Sequence, residues 1–245
     1  MFSRSSPFPA IVKATCGRAA TPLALLLALG HAPADAGRPL STDDAGVLAS
    51  KSCEWESYLA RSRSGEHSTA FNTQAGCGIG HDSQFNASLV DDRSDTSHSY
   101  TAGLYAKTLL GQFDAGWSFA ISGGFNQLRE SRRRGQSGDE NSDYVVLIAS
   151  HALSDATALH LNVGGAYAHR ADSFTTPWNV ALDQSLTDDL GVTAEVYRDA
   201  GQSKWAAAGV RFHTWRNCTL SASFAHPFDP SGSPQVTIGF MIDLP

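Results

Sequence analysis

Residues 117–126 read WSFAISGGFN, and the spacing of their apolar residues indicates the fold class. Trp117, Phe119, Ile121 and Phe125 stand two or four positions apart, with Gly123 in the same series, whereas the positions between them carry small or polar residues. A period of two is the pattern of a β-strand with one apolar face and one polar face. The same alternation recurs at 159–167 and at 236–243. The sequence therefore predicts strands where an amphipathic helix would show a longer period.

Alternation of this kind returns about twelve times along the chain, and helical periodicity never lasts beyond two turns. The predicted strands lie at 53–62, 68–78, 83–91, 98–110, 115–127, 142–152, 156–169, 175–186, 190–199, 203–213, 217–226 and 234–243. Tight turns alternate with longer polar connections, of which 91–97 and 128–141 are examples. An even number of antiparallel strands with this alternation is typical of bacterial outer-membrane barrels. We therefore expect an all-β chain that forms a single antiparallel transmembrane β-barrel of about 12 strands.

The first 36 residues have the features of an export signal. A basic leader precedes an apolar run at 23–29, and Ala34 and Ala36 form a small-residue cleavage pattern. The apolar run falls well short of the ~20 residues that span a bilayer. Cleavage after Ala36 would leave 15 basic and 23 acidic residues, a net charge of −8. We expect 1–36 to be a signal peptide, 37–51 an extended N-terminal arm and 52–245 the barrel.

The composition limits the partners that the chain can have. A mean hydropathy of −0.20 excludes a bundle of transmembrane helices, and a sequence pI near 5.8 argues against nucleic acid as a partner. Only 17% of residues are charged, which is low for strands that face water on one side. A barrel with an apolar outer face and a polar lumen explains this low charge. The expected partners are outer-membrane lipid, lipopolysaccharide and the barrel-assembly machinery.

Three cysteines follow the predicted signal peptide. Cys53 and Cys77 flank one predicted hairpin with its turn at 62–66, and antiparallel pairing places them opposite each other. A disulfide between them is therefore geometrically easy. Cys218 is then left as a small buried or lipid-facing residue. None of the three has the spacing of a zinc site, so we expect no metal and no cofactor.

The predicted strands place a few charged residues on their polar faces. A charge inside a barrel needs a partner, so these residues are the candidate lumen and transport residues. They are Glu56, Lys107, Asp183, Glu195, Arg211 and Asp243. Two interpretations stay open: the charges line a polar path for a solute, or they pair with one another and fill the lumen. Twelve strands lie between the filled eight-stranded barrels and the open sixteen-stranded ones, so barrel size does not decide.

Histidines are the candidates for catalysis, and a basic loop is the candidate for binding an anionic surface. Several histidines lie near serines, but no G-x-S-x-G nucleophile elbow is present. We interpret them as hydrogen-bonding residues of the barrel and expect no enzyme activity. They are His98, His151, His160, His213 and His226. The basic run 132–134 could bind an anionic surface, although nearby carboxylates favour a solvated loop.

A family resemblance is carried by the segment that follows the predicted signal peptide. Residues 38–46 read RPLSTDDAG, residues 53–56 read CEWE, and Cys77 follows as a second cysteine. This pattern resembles the start of the outer-membrane transporters associated with meta-pathway phenol degradation. The resemblance covers residues 38–77 and implies an outer-membrane barrel that takes up hydrophobic or aromatic compounds. It supplies no substrate-binding residues.

The leading functional hypothesis is an outer-membrane channel for small molecules. The first alternative is a structural or enzymatic outer-membrane barrel whose lumen is filled. The second is a soluble periplasmic binding protein of the lipocalin type, whose apolar faces would point inward around a ligand. The face that the apolar side chains occupy separates this second alternative from the other two.

Overall fold

The computed structural model describes residues 40–62, 67–113, 116–132, 138–214 and 217–244. The predicted signal peptide lies outside these residues. Within the described residues, no helix is long and apolar enough to cross a membrane. The strands are β1 (Cys53–Ser62), β2 (Ser68–Gly80), β3 (Ser83–Ser94), β4 (Ser97–Phe113), β5 (Trp117–Arg132), β6 (Gly138–Ser154), β7 (Thr157–Ala168), β8 (Ser173–Thr175), β9 (Trp178–Ser185), β10 (Leu190–Arg198), β11 (Lys204–Thr214), β12 (Cys218–Pro227) and β13 (Gln235–Leu244).

The strands form one closed antiparallel barrel. Neighbouring strands pair in chain order, β1 also pairs with β13, and the pairing of β6 with β7 completes the ring. β8 and β9 both pair with β7, one after the other, so they are two parts of one strand. Pro177 lies in the break between them, where its missing N–H interrupts the ladder. The barrel therefore has twelve strands, which confirms the predicted fold class.

Two predicted connections are shorter than the sequence suggested. β3 runs to Ser94 and β4 begins at Ser97, so the stretch predicted as a long connection at 91–97 is a tight turn. β5 and β6 likewise extend into the predicted loop at 128–141, where Glu130 pairs with Gly138. Arg132 ends β5 and makes an ion pair of 2.9 Å with Glu130, whereas 133–134 lie outside the described residues. Polar residues on both faces hide the alternation there, although the backbone ladder continues.

The barrel has two ends, which we call the turn end and the loop end. The turn end carries the turn at 81–82, the first residue of β1 (Cys53) and the last residue of β13 (Leu244). The loop end carries the connection at 228–234. Cys53 and Cys77 are register partners on β1 and β2 at the turn end, and their Cα atoms are 4.1 Å apart. They form a disulfide, as predicted, and Cys218 is a free thiol.

The barrel wall is apolar outside and polar inside. Large side chains such as Phe71, Leu89 and Ile238 are 48–60% exposed on the outer face. Among the described residues, sixteen polar or charged residues are buried. Nine hydrophobic residues are buried as well, and most of these nine are alanines. This arrangement is the inverse of a soluble β-barrel, whose apolar side chains point inward.

Candidate functional site

The six candidate charged residues all lie on the lumen side of their strands. Five of them are 2–6% exposed and therefore buried inside the barrel: Glu56, Lys107, Asp183, Glu195 and Arg211. Asp243 lies near the turn end, is exposed and lines the larger of two lumen cavities. Residues two positions apart on a strand share a face, which is the physical reason for this placement.

Two of the charges pair with each other. Arg211 on β11 donates from Nη2 to Asp183 Oδ1 on β9 at 2.7 Å, and its Nη1 lies 2.6 Å from Oδ2. The pair spans β10 along the wall and does not cross the lumen. Two parallel contacts of a guanidinium to a carboxylate are stronger and more directional than one. This geometry ties three neighbouring strands together.

The other buried charges meet the N-terminal arm, which lies inside the lumen. The arm is residues 40–50, and it enters at the turn end, where Ser50 bridges to Gly78 of β2. Leu40, Thr42 and Ala45 are 0–4% exposed. The sequence predicted an extended arm but gave no indication that the barrel encloses it. Because the arm has no strand ladder of its own here, its backbone polar groups need partners among the lumen side chains.

Glu195 binds the inner end of the arm. Its carboxylate accepts hydrogen bonds from the backbone N–H of Ser41 at 2.8 and 3.0 Å and from that of Thr42 at 2.9 Å. The Thr42 hydroxyl adds a fourth contact of 2.7 Å. On the other side of the chain, Asn179 Nδ2 donates to the Ser41 carbonyl at 2.9 Å. We call the contact of Glu195 with Ser41 and Thr42 the latch.

A second anchor holds the middle of the arm. Asn162 of β7 binds Asp43 reciprocally: the Asp43 N–H donates to Asn162 Oδ1 at 2.7 Å, and Asn162 Nδ2 donates to the Asp43 carbonyl at 2.9 Å. Lys107 of β4 reaches the Asp43 carboxylate at 3.0 Å and donates to the Asp44 carbonyl at 3.4 Å.

Further contacts fix the arm between the second anchor and its entry point. Ala45 packs with Ala120 and Ile148 in a small buried cluster. Its N–H donates to Ser150 Oγ at 2.9 Å, and the same hydroxyl lies 2.8 Å from Nδ1 of His160. His160 is therefore a buried hydrogen-bonding residue beside the arm. Nearer the entry, the N–H of residue 48 donates to a glutamine of β3 at 2.9 Å.

The other candidate histidines lie in separate places. His98 contacts Asp91 at 2.9 Å, and His213 contacts Thr219 at 2.9 Å. His151 stacks on Trp117 with ring centroids 4.4 Å apart. The Ser150–His160 pair is the one that the structure brings against the arm, and in the described part of the chain no group of three or more His, Cys, Asp or Glu could hold a metal ion.

Two cavities lie beside the arm. The larger, about 860 Å³, is lined by Asp243 and Leu244 at the turn end and by Tyr105 and Tyr144 deeper in the barrel. Tyr144 is the seventh residue of β6, nearer its loop end than its turn end, so the cavity extends past the middle of that strand. The smaller, about 200 Å³, is lined by residues that include Glu195 and by side chains of β1, β2 and β10–β13.

Comparison with known proteins places the chain in a family. Residues 24–242 match the model of the uncharacterised conserved protein UCP029691. The chain belongs to that family. Curated protein sequences contain no significant match to this UCP029691 member.

Solved structures share the fold of this UCP029691 barrel. A KdgM porin in complex with disordered oligogalacturonate superposes with a TM-score of 0.58 and 10% identity, over 79% of this chain and 99% of the porin. The COG4313 outer membrane channel from Pseudomonas putida F1 gives 0.57 and 6% identity, over 84% and 100%. Outer membrane phospholipase A from Escherichia coli gives 0.51 and 13% identity, over 82% and 93%. At these identities the likeness establishes the outer-membrane β-barrel fold, which serves channels and an enzyme alike.

Sequence reasoning missed the residues of the arm and most of its uncharged partners. They are Ser41, Thr42, Asp43, Asp44, Ala45, Gln84, Ser150, Asn162 and Asn179. One signal was available: Lys107 stands on a lumen face with no carboxylate beside it on β4. A buried ammonium of this kind requires a partner from elsewhere in the chain.

Proposed function

We propose that this protein is an outer-membrane channel for small molecules, with a lumen narrowed by its own N-terminal arm. The observation that carries the proposal is the reversed polarity of the barrel, with large apolar side chains exposed outside and charged side chains buried inside. An outer face of this kind suits lipid and lipopolysaccharide, and insertion would use the barrel-assembly machinery. The same face argues against the soluble lipocalin-like alternative, which needs its apolar side chains inside.

The larger cavity supports passage of solutes. Its lining combines carboxylates near the turn end with Tyr105, Tyr144, Val146 and Met241. A volume of about 860 Å³ is in the range of small-molecule sites. Mixed polar and apolar walls suit a compound with an aromatic or apolar body and a polar group. Hydrophobic or aromatic compounds are therefore our proposed solutes, in agreement with the resemblance to the phenol-degradation transporters.

The filled-lumen barrel is the second candidate. The arm favours it, because eleven residues of backbone occupy space that an open pore would leave to water. The buried Asp183–Arg211 ion pair also favours a filled lumen, since neither side chain lines either of the two cavities.

Fractionation and conductance separate these candidates. We expect the protein in the outer-membrane fraction, with heat-modifiable migration on gels, and we expect the purified barrel to produce discrete ion currents in planar bilayers. Recovery as a soluble periplasmic monomer would contradict the membrane assignment. A folded, heat-modifiable barrel without any current, even after removal of the arm, would favour the structural alternative over the channel.

A further inference from the structure

Ser41 lies between the larger and the smaller lumen cavity. Ser41 lines both the larger cavity, which reaches Asp243 at the turn end, and the smaller one, which reaches Gln235 near the loop end. Ser41 therefore lies at the boundary that the two cavities share. Ser41 stands near the inner end of the arm, next to Leu40, which packs on Ala181 of β9.

The latch fixes Ser41 in that position. Glu195 is 5% exposed and near the middle of β10, and it accepts the N–H groups of Ser41 and Thr42 together with the Thr42 hydroxyl. Hydrogen bonds to an ionised acceptor are about twice as strong as those between neutral groups. Among the described side chains, Glu195 alone accepts these two amides, while Asn179 binds the Ser41 carbonyl on the other side of the chain. Glu195 therefore makes most of the hydrogen bonds that hold the inner end of the arm.

The outer part of the arm is held independently of the latch. Lys107 and Asn162 hold Asp43, and the backbone of residues 51–52 is hydrogen-bonded to Gly78 at 2.9–3.0 Å. Loss of the latch should therefore release the inner end alone and leave the arm attached to the wall. The barrel strands themselves take no part in the latch except through the side chain of Glu195.

We propose that the latch is the size-selecting constriction of the channel, and that releasing it joins the two lumen cavities into one wider path. The inference rests on the proposed channel function. It identifies Glu195 as a positioning residue, which acts by holding Ser41 and Thr42 in the path, and it identifies the arm backbone as the wall that a solute meets.

The test uses the full-length chain with Glu195→Ala and Glu195→Gln. Glu195→Ala removes every latch contact, so single-channel conductance should rise several-fold, and liposome swelling should admit neutral oligosaccharides that the unaltered protein excludes. Glu195→Gln retains one acceptor oxygen and should give an intermediate result. Thr193→Val is the matched control, because Thr193 is also a buried lumen residue of β10 but its hydroxyl makes no hydrogen bond to the described part of the arm, and the substitution should leave both readouts unchanged.

A variant lacking residues 40–50 distinguishes the latch from the channel itself. If this variant and Glu195→Ala both conduct more than the unaltered protein, the inference stands. If the deletion conducts more but Glu195→Ala, folded and heat-modifiable, keeps the original size limit, the latch inference is wrong and the channel proposal survives. If the folded deletion variant carries no current, the channel proposal itself fails. An equal rise in Thr193→Val would also overturn the assignment to the latch.

Discussion

Removal of the Asp183 charge should lower the free energy of unfolding by an amount that follows directly from the burial of its ion pair with Arg211. The carboxylate is 2% exposed, and Arg211, its partner at 2.6 and 2.7 Å, is 5% exposed. Asp183→Asn preserves the shape of the side chain but removes the negative charge that the buried guanidinium contacts. Breaking one partner of a buried ion pair costs about 3–5 kcal/mol. That cost corresponds to a change on the order of a hundred-fold to several thousand-fold in the unfolding equilibrium.

Urea unfolding of the purified barrel in detergent, followed by tryptophan fluorescence, measures this free energy. The double variant Asp183→Leu with Arg211→Met should recover most of the lost stability, because apolar replacement of a buried pair is often neutral. Glu130→Gln breaks a more exposed ion pair at the end of β5 and should cost no more than about 1 kcal/mol. The unfolding free energy of Asp183→Asn could instead lie within about 1 kcal/mol of that of the unaltered protein. Water would then reach the ion pair, and the conclusion that the pair is shielded from solvent would be wrong.

Three further predictions concern the turn end. The disulfide closes a loop with a sequence separation of 24, so replacing Cys53 and Cys77 by serine should lower the unfolding free energy by up to about 3.5 kcal/mol, measured in urea without reductant. Gly78→Ala should displace the arm at its entry, because a Cβ there would clash with the carbonyl oxygen of Ala49; faster proteolysis within residues 40–50 in the folded barrel would show it. Glu54→Gln with Asp243→Asn should reduce a preference for potassium over chloride, measured by reversal potential in a salt gradient, since carboxylates that line a pore favour cations.

The sequence predicted the barrel wall well because the membrane-facing part of each strand must alternate. Phe71, Leu89 and Ile238 recur on one face, and that period fixes both the strand and the face it presents. Alternation disappears beyond the apolar zone. Residues 91–94 are all polar, although β3 continues through them. The break at Pro177 was missed for a different reason, since flanking residues on both sides still pair with β7.

The lumen charges could be placed on their face, but their partners could not be predicted. Period-two alternation assigns Glu195 to the inner face of β10. Its main partners, however, are the backbone amides of Ser41 and Thr42, which almost any residue type could supply. Backbone donors leave no sequence signal. Asp43 and Lys107 did have one, since each is a charge without a local counter-charge, but their separation of 64 positions gives no geometric link.

The manner in which the arm is bound bears on whether it can move. A twelve-stranded barrel is wider than the eight-stranded barrels that side chains alone can fill, and here a backbone segment occupies part of the lumen. The amides of Ser41, Asp43 and Ala45 are satisfied by side chains of Glu195, Asn162 and Ser150, whereas a strand in the wall is held by a continuous backbone ladder. Each arm contact can therefore be lost singly, without breaking any strand pairing of the barrel. A segment that belonged permanently to the wall would gain more stability from a ladder, and this difference favours an arm that can be released one contact at a time.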